Sequence, residues 1–289
     1  MKITRVSSVV VNAEMRNWVF VKVETDQDGL WGWGEASLEW KTRAVVGAID
    51  DFAPMLVGED PTRIEHLYQK MYRQSFWRMG VIGMSAISGI EQALWDILGK
   101  HKDSPVCELL GGRVRDKVRM YTHLGGGQMS AVYETQMQAG ASQFVDLARE
   151  VVEQGYTAVK VLLTPPTEPL NSAADCRYAE GVMRALRDGL GEDIDIMVDC
   201  HGRHFPANAI EFCRVLAPYR PYFVEEPVPP ENVEAMAEVR RASPVPIATG
   251  ERLVTRFGFR EVLEKQACHI IQPDLCHCGG LWEAKKIAA

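Results

Sequence analysis

The stretch IMVDCHGR, residues 196–203, decides the fold of this chain. It ends an apolar run whose hydrophobic residues alternate, which is typical of a β-strand, and it continues into a turn that contains glycine. Asp199 and His201 stand two residues apart at this strand end, so we expect both side chains to reach the same mouth of a sheet. The stretch therefore predicts a strand that delivers a carboxylate and an imidazole to one site.

Two further strand ends follow at equal spacing. FVEEP, residues 223–227, places Glu225 26 residues after Asp199, and IATGER, residues 247–252, places Glu251 another 26 residues on. One carboxylate from each of three successive β-α units predicts a hard-cation site across the rim of a β/α barrel. The alternative for any one of these acids is a salt-bridged strand end.

Strands and helices alternate through residues 118–289. This pattern favours a parallel sheet, and a (β/α) barrel in particular, with about six β-α units. The predicted strands are Val118–His123, Ala158–Leu163, Ile194–Asp199, Tyr222–Glu225, Pro246–Gly250 and Cys268–Gln272.

Residues 1–117 have a different organisation, with strands first and helices afterwards. Met1–Asn12, Trp18–Asp26 and Leu30–Ala36 predict an antiparallel meander, and Ser85–Lys100 predicts an amphipathic helix. Gly111, Gly112 and Arg113 then mark a boundary. The sequence thus predicts an α/β protein in which an α+β capping domain, 1–117, precedes a barrel domain, 118–289.

Composition excludes several classes of function. The chain has 289 residues and a net charge of −7, which argues against nucleic acid or an anionic membrane as a partner. Its seven scattered cysteines predict reduced thiols in a cytoplasmic protein. No signal peptide and no apolar run of membrane-spanning length is recognisable.

Several motifs together resemble a known family. GWGEA, SAISGIEQALWDILGK, VDCHGR, YRPYFVEEPV, PIATGER and IIQPDLCHCGG resemble the enolase superfamily, and within it the mandelate racemase subgroup. They are most similar to sugar-acid dehydratases of the galactonate dehydratase type. The resemblance spans the whole chain, and it implies a capping domain followed by a TIM barrel.

The resemblance implies a reaction and the residues that perform it. Asp199, Glu225 and Glu251 match the Mg²⁺ ligands, and His201 matches the general acid that protonates the departing hydroxyl. Asp274 matches the aspartate that orients a histidine base. The implied reaction converts an aldonate such as galactonate to a 2-keto-3-deoxy acid through an enediolate, which a Mg²⁺ ion can stabilise.

Four more residues are candidate substrate contacts. In the family, the loop between the first two strands covers the barrel mouth, and this places Arg16 and Trp18 beside the substrate. Lys160 stands where some relatives carry a catalytic base in a Lys-x-Lys pattern, which is absent here because the alternate residue is Leu162. Arg203 could contact substrate or pair with a ligand carboxylate. For Arg16 the alternative is an ordinary exposed arginine.

The chain also departs from the family pattern. It ends after about six β-α units where a closed barrel has eight, so the expected barrel is truncated. The family's histidine base belongs to the seventh strand and is not assigned here. A longer protein, a second chain, or an inactive relic that binds metal or sugar acid would each explain this.

Other activities of the subgroup stay open as alternatives, namely mannonate or gluconate dehydratase and racemase. Asp274 argues against the mannonate type, and the absent Lys-x-Lys pattern argues against a racemase. The expected partners are a small sugar acid and further copies of the chain, because relatives associate as homo-oligomers.

Overall fold

The computed structural model describes residues 1–14, 16–74, 76–124, 140–164 and 172–289. The chain forms two compact units. The first contains Met1–Lys117, Glu251–Phe259 and Pro273–Ala289, and the second contains Val118–Gly250 and Arg260–Gln272. The predicted domains, 1–117 and 118–289, stay a prediction, and the segments 251–259 and 273–289 of the predicted barrel domain belong to the first unit.

An antiparallel sheet of three strands opens the first unit. β1 (Ile3–Ala13), β2 (Arg16–Thr25) and β3 (Trp31–Glu35) lie in the order β1-β2-β3. Alternation along β2 buries Val19, Val21 and Val23, so one face of the sheet contributes to the core. Helices α1 (Thr42–Leu56), α2 (Ile64–Gln74), α3 (Gly80–Lys102) and the short α4 (Val106–Leu109) follow.

Close packing of α3 on β3 explains the glycines of the GWGEA motif. A Cβ atom on Gly32 would lie 2.1 Å from the carbonyl oxygen of Ala93, and one on Gly34 would lie 2.0 Å from that of Gly89. Any larger residue would therefore push the helix away from the sheet. The predicted helix over residues 85–100 lies within α3.

Glu91 of α3 joins the C-terminal helix α10 (Leu281–Ala288) to this unit. Its carboxylate accepts the backbone N–H groups of Leu281 at 2.8 Å and Trp282 at 2.9 Å, and the indole N–H of Trp95 at 2.7 Å. Burial raises the pKa of Glu91 to about 7, although these hydrogen bonds act in the opposite direction. A Cβ on Gly280, whose φ is +89°, would lie 2.1 Å from a Glu91 oxygen.

The second unit contains a parallel sheet whose strands pair in chain order. The predicted fold class, an antiparallel N-terminal sheet followed by a parallel α/β region, is confirmed. Its described residues form six strands, β4 (Thr122–His123), β5 (Ala158–Leu162), β6 (Asp195–Asp199), β7 (Val224–Glu225), β8 (Ile247–Thr249) and β9 (Ile270–Ile271). The helices between them are α5 (Ala141–Glu153), α6 (Ala173–Leu190), α7 (Pro206–Leu216), α8 (Val233–Ala242) and α9 (Thr255–Glu264).

One face of this sheet carries an apolar cluster below polar strand ends. Ala158, Met197, Phe223 and Ala248 form the buried cluster, with Ile270 packed against it. Because side chains alternate along a strand, the residue two positions after each of these points to the same side. Lys160, Asp199 and Glu225 therefore share the face of the apolar cluster.

Among the described helices, none combines the length and the apolar character that a membrane span requires.

Candidate functional site

Two predicted metal ligands meet at the carboxyl edge of the parallel sheet. Asp199 is the last residue of β6 and Glu225 the last residue of β7, and the two are paired directly in register. Their side chains are only 2% and 1% exposed. Two buried carboxylates thus lie side by side, where each disfavours ionisation of the other unless a cation is near.

Lys160 supplies that cation in this structure. Its Nζ lies 2.8 Å from Oε2 of Glu225 and 3.1 Å from Oδ2 of Asp199, and its side chain is 13% exposed. Burial alone would lower the pKa of Lys160, but the two carboxylates raise it above the ordinary value for lysine. The ammonium is therefore charged, and it bridges the ends of two neighbouring strands.

The carboxylates respond differently to this environment. Burial opposes ionisation of Asp199, but hydrogen bonding from His201 and the charge of Lys160 lower its pKa below the usual range. For Glu225, burial and the neighbouring Asp199 raise the pKa, and Lys160 offsets only part of the increase. With both acids ionised, two negative charges face one positive charge, so the site favours further positive charge.

His201 lies on a strained turn directly after β6. Its φ is +49°, and that of Gly202 is +66°, both in the left-handed region that non-glycine residues seldom adopt. The backbone N–H of His201 donates to Oδ1 of Asp199 at 2.9 Å, and its Nε2 lies 3.5 Å from Oδ2. The turn thus holds a partly exposed imidazole beside the carboxylate pair.

Arg203 orients this imidazole from the other side. Its Nη1 donates to the carbonyl oxygen of Thr164 at 2.7 Å, and its Nη2 lies 3.5 Å from Nδ1 of His201. The hydroxyl of Thr164 in turn lies 3.2 Å from Nε2 of the buried His204. Burial, with a contribution from Arg203, lowers the pKa of His204 to about 4, which keeps this second imidazole neutral.

Two residues that were not predicted complete the polar cluster. The side chain of Gln272 is hydrogen-bonded to Glu225 and to Tyr121, and its Oε1 is buried with no partner in the described structure. The Lys160 ammonium lies 5.9 Å from the centre of the Tyr121 ring. Alternation along β9 places Gln272 on the face of Ile270. That signal was available in the sequence.

The remaining predicted site residues lie in the first unit. Glu251 occupies the turn after β8 and falls in the segment Glu251–Phe259. Asp274 accepts the backbone N–H of Cys276 at 2.7 Å, and its Oδ2 lies 3.8 Å from Nε2 of His277. The other ring nitrogen of His277 lies 2.9 Å from the Ser85 hydroxyl. In this structure Asp274 caps its own turn and faces His277.

The predicted loop position is wrong for Arg16, whereas Trp18 lies in a strand, as the predicted strand Trp18–Asp26 requires. Both residues belong to β2, because pairing with β1 continues to the last pair before the turn, Ala13 with Arg16. Trp18 is exposed on the sheet, and Arg16 forms an ion pair of 2.6 Å with Glu39. Their role as substrate contacts stays a prediction.

The donor atoms of this site are of the type that a hard divalent cation requires. Carboxylate oxygens are the ligands that Mg²⁺ prefers, and Asp199 and Glu225 present them to a common point already held by a cationic group. Within the described residues no cluster of three or more His, Cys, Asp or Glu side chains is arranged to hold a metal ion. Asp199 and Glu225 thus suit a divalent cation by the type of their donor atoms, and the site of three ligands stays a prediction.

Both parts of the chain match known protein families. Residues 4–111 match the family described as "Mandelate racemase / muconate lactonizing enzyme, N-terminal domain". Residues 143–289 match the family described as "Enolase C-terminal domain-like". The two matches occur in this order over most of the chain.

Similar whole proteins extend this result. D-galactonate dehydratases of Variovorax paradoxus (strain S110) and Ralstonia pickettii (strain 12J) are each 42% identical over all of this chain, which spans 72% of their length. A crystal structure of a mandelate racemase/muconate lactonizing enzyme-like protein from Rubrobacter xylanophilus DSM 9941 has a TM-score of 0.92. It is 35% identical, and the match covers 99% of this chain and 75% of that one.

Proposed function

Because the chain belongs to the mandelate racemase/muconate lactonizing enzyme subgroup of the enolase superfamily, we propose that it acts as a magnesium-dependent sugar-acid dehydratase. The substrate would be an aldonate such as galactonate, and the product a 2-keto-3-deoxy acid. The buried pair of Asp199 and Glu225, with His201 beside it, is the observation that carries this proposal. The similarity to curated D-galactonate dehydratases supports the reaction class.

Asp199 and Glu225 would hold the cation, with Glu251 as the third ligand. A bound Mg²⁺ would stabilise the negative charge that develops on the substrate carboxylate when the neighbouring proton is removed. The Lys160 ammonium lies 2.8 Å from Glu225. It would add a second positive group near the substrate carboxylate. Burial strengthens both effects, because few water molecules screen the charges.

His201 would donate a proton from Nε2 to the departing hydroxyl at C3. The ring would act as the imidazolium, which becomes neutral imidazole when Nε2 gives its proton to the hydroxyl and water leaves. The guanidinium of Arg203, with Nη2 3.5 Å from Nδ1, restricts the rotation of the ring. The hydrogen bond from the His201 backbone to Asp199 fixes the turn that presents the ring. Arg203 thus has a positioning role in this proposal. Asp274 is proposed to orient the base that takes the C2 proton.

The test is turnover of a panel of aldonic acids that differ in configuration from C2 to C5. Purified protein is incubated with each acid and Mg²⁺, and the 2-keto product is measured as its semicarbazone and identified by NMR. We expect one or a few acids to be dehydrated, and chelation with EDTA to stop the reaction. Binding of a sugar acid without any turnover would instead favour the non-catalytic alternative.

Variants then connect turnover to the site. His201→Asn should lower kcat by about 10²- to 10⁴-fold, the usual contribution of a general acid. Glu225→Gln removes a proposed Mg²⁺ ligand. It should abolish activity at every Mg²⁺ concentration. His101→Asn and Glu261→Gln change exposed helical residues of the same types, and both should retain full activity. Equal activity of His201→Asn and the parent would refute the assigned role.

A further inference from the structure

Gln272 follows β9 directly, two strands away from Glu225 in the same sheet. Its backbone N–H donates to the carbonyl oxygen of the last residue of β8 at 3.0 Å, which continues the pairing of the two strands. Ile270 lies opposite Ala248, so the same register places Gln272 opposite Gly250. Neither Ala248 nor Gly250 has a long side chain, and the Gln272 amide therefore has space to cross β8 and reach Glu225 on β7.

The amide of Gln272 has one orientation that agrees with its surroundings. The carboxylate of Glu225 can only accept hydrogen bonds, so the amide nitrogen must face it. The same nitrogen can donate to the hydroxyl of Tyr121, with which Gln272 is also hydrogen-bonded. The amide oxygen, Oε1, is the acceptor that remains, and it is buried with no partner in the described part of the chain.

This buried oxygen has the chemistry of a ligand contact. Nearly all buried polar atoms in native proteins have a hydrogen-bond partner, so an unpaired acceptor beside a polar cluster indicates a group that binds there. The partner must donate a hydrogen bond, which excludes a carboxylate or a carbonyl oxygen. A hydroxyl group fits, and hydroxyl groups are the donors that a sugar acid carries.

We propose that Oε1 of Gln272 accepts a hydrogen bond from the C2 hydroxyl of a bound sugar acid and thereby selects 2-hydroxy acids. The inference rests on the proposed function, in which the substrate carboxylate lies at the cation site of Asp199 and Glu225. The C2 hydroxyl is the nearest hydroxyl to that carboxylate, and the hydrogen bond to Glu225 holds the Gln272 amide at the same place. A neutral amide takes no part in proton transfer, so Gln272 determines specificity.

The test compares the dissociation constants of D-galactonate and its 2-deoxy analogue, measured by isothermal titration calorimetry of the whole chain in Mg²⁺. All proteins carry His201→Asn, so that the acid is not consumed during the titration. We expect galactonate to bind at least about tenfold more tightly than the analogue, which leaves Oε1 without a donor. Gln272→Met keeps the length of the side chain without its amide, and it should lower this ratio by about tenfold.

Two control variants separate Oε1 from the rest of the amide and from the surface. Tyr121→Phe removes one partner of the amide nitrogen and leaves Oε1 in place, so the ratio should stay unchanged. Gln143→Met changes an exposed glutamine of α5 and should also retain the ratio. A purely structural role of Gln272 would weaken both acids equally in Gln272→Met. That unchanged ratio, or no binding of galactonate to the His201→Asn protein, would overturn the proposal.

Failure of the proposed function gives a different result, because turnover does not enter the ratio. A collapsed ratio in Gln272→Met, without turnover by the protein that retains His201, would support the specificity role and refute the dehydratase. Turnover of galactonate together with an unchanged ratio in Gln272→Met would refute the specificity role alone.

Discussion

Replacement of Lys160 by methionine would remove the cation from the carboxylate pair and keep most of the side-chain volume. The ammonium is 13% exposed and lies within 3.1 Å of two carboxylates that are 2% and 1% exposed. Removing one partner of a buried ion pair lowers stability by about 3–5 kcal/mol, because the other charge is left uncompensated. We expect Lys160→Met to lower the free energy of unfolding by this amount without metal, a large part of the usual 5–15 kcal/mol.

The assay is urea denaturation followed by circular dichroism, in EDTA and in Mg²⁺. A divalent ion bound only to the folded protein adds about 2.7 kcal/mol when its concentration is a hundred times Kd. Since the variant offers the same carboxylates without a competing ammonium, Mg²⁺ should stabilise Lys160→Met more than the parent. The dependence of the unfolding free energy on urea concentration should be the same in the variant and the parent. This would show that both proteins expose the same surface on unfolding.

Lys265→Met is the matched control. Lys265 also bridges two carboxylates, Glu234 at 2.5 Å and Glu261 at 2.7 Å, but at the surface. Water and salt screen such pairs, so this substitution should change stability little. The reasoning is refuted if Lys160→Met is as stable as the parent in EDTA, or if Mg²⁺ stabilises the parent and the variant equally.

Three further predictions concern buried groups and close packing. The pKa of Glu91 rises from 4.5 unfolded to about 7 folded, so its protonated form favours folding. The parent should lose about 3 kcal/mol relative to Glu91→Gln as the pH rises from about 4.5 to 7, and parallel pH profiles of unfolding free energy would contradict this. His204 should stay neutral until the pH falls to about 4. An NMR titration of its ring checks this, and a midpoint near 6.5 would disprove it. Gly280→Ala should lower the thermal midpoint, because its Cβ would collide with Glu91. Gly47→Ala is the control, because it lies at an open position in α1, and it should maintain or raise the midpoint. Equal thermal midpoints for Gly280→Ala and the parent would be evidence against the collision.

The sequence predicted the carboxylate pair because parallel strands end at the same edge. Asp199 and Glu225 each follow a buried run, so their neighbouring positions required only the strand order. The bridging Lys160 was harder to predict. The sequence of β5 alone shows only that the Lys-x-Lys pattern is absent. The contact of Lys160 with the two carboxylates depends on the register of β5 against β6. The pattern along one strand shows which face is buried, but it does not show which residue of the next strand lies opposite.

Contacts distant in sequence account for the other differences. Arg16 was assigned to a loop, because the sequence does not show how far the pairing of β1 and β2 continues toward the turn. The role of Asp274 in orienting a histidine base stays a prediction. Its contact with His277, whose ring contacts Ser85 at a separation of 192 residues, was not predicted. Predicting that contact requires the packing of α3 against residues 273–289.

The three-segment composition of the first unit has a consequence for synthesis on the ribosome. Residues 1–117 emerge first, but the partners of Glu91 are Leu281 and Trp282, about 190 residues later. Until those residues leave the exit tunnel, the Glu91 carboxylate lacks two of its three described donors and keeps the Trp95 indole. Although residues 1–117 are translated first, the partners of Glu91 therefore emerge only after the six described strands of the parallel sheet. Exchange of this unit between relatives would require three segments to be moved together.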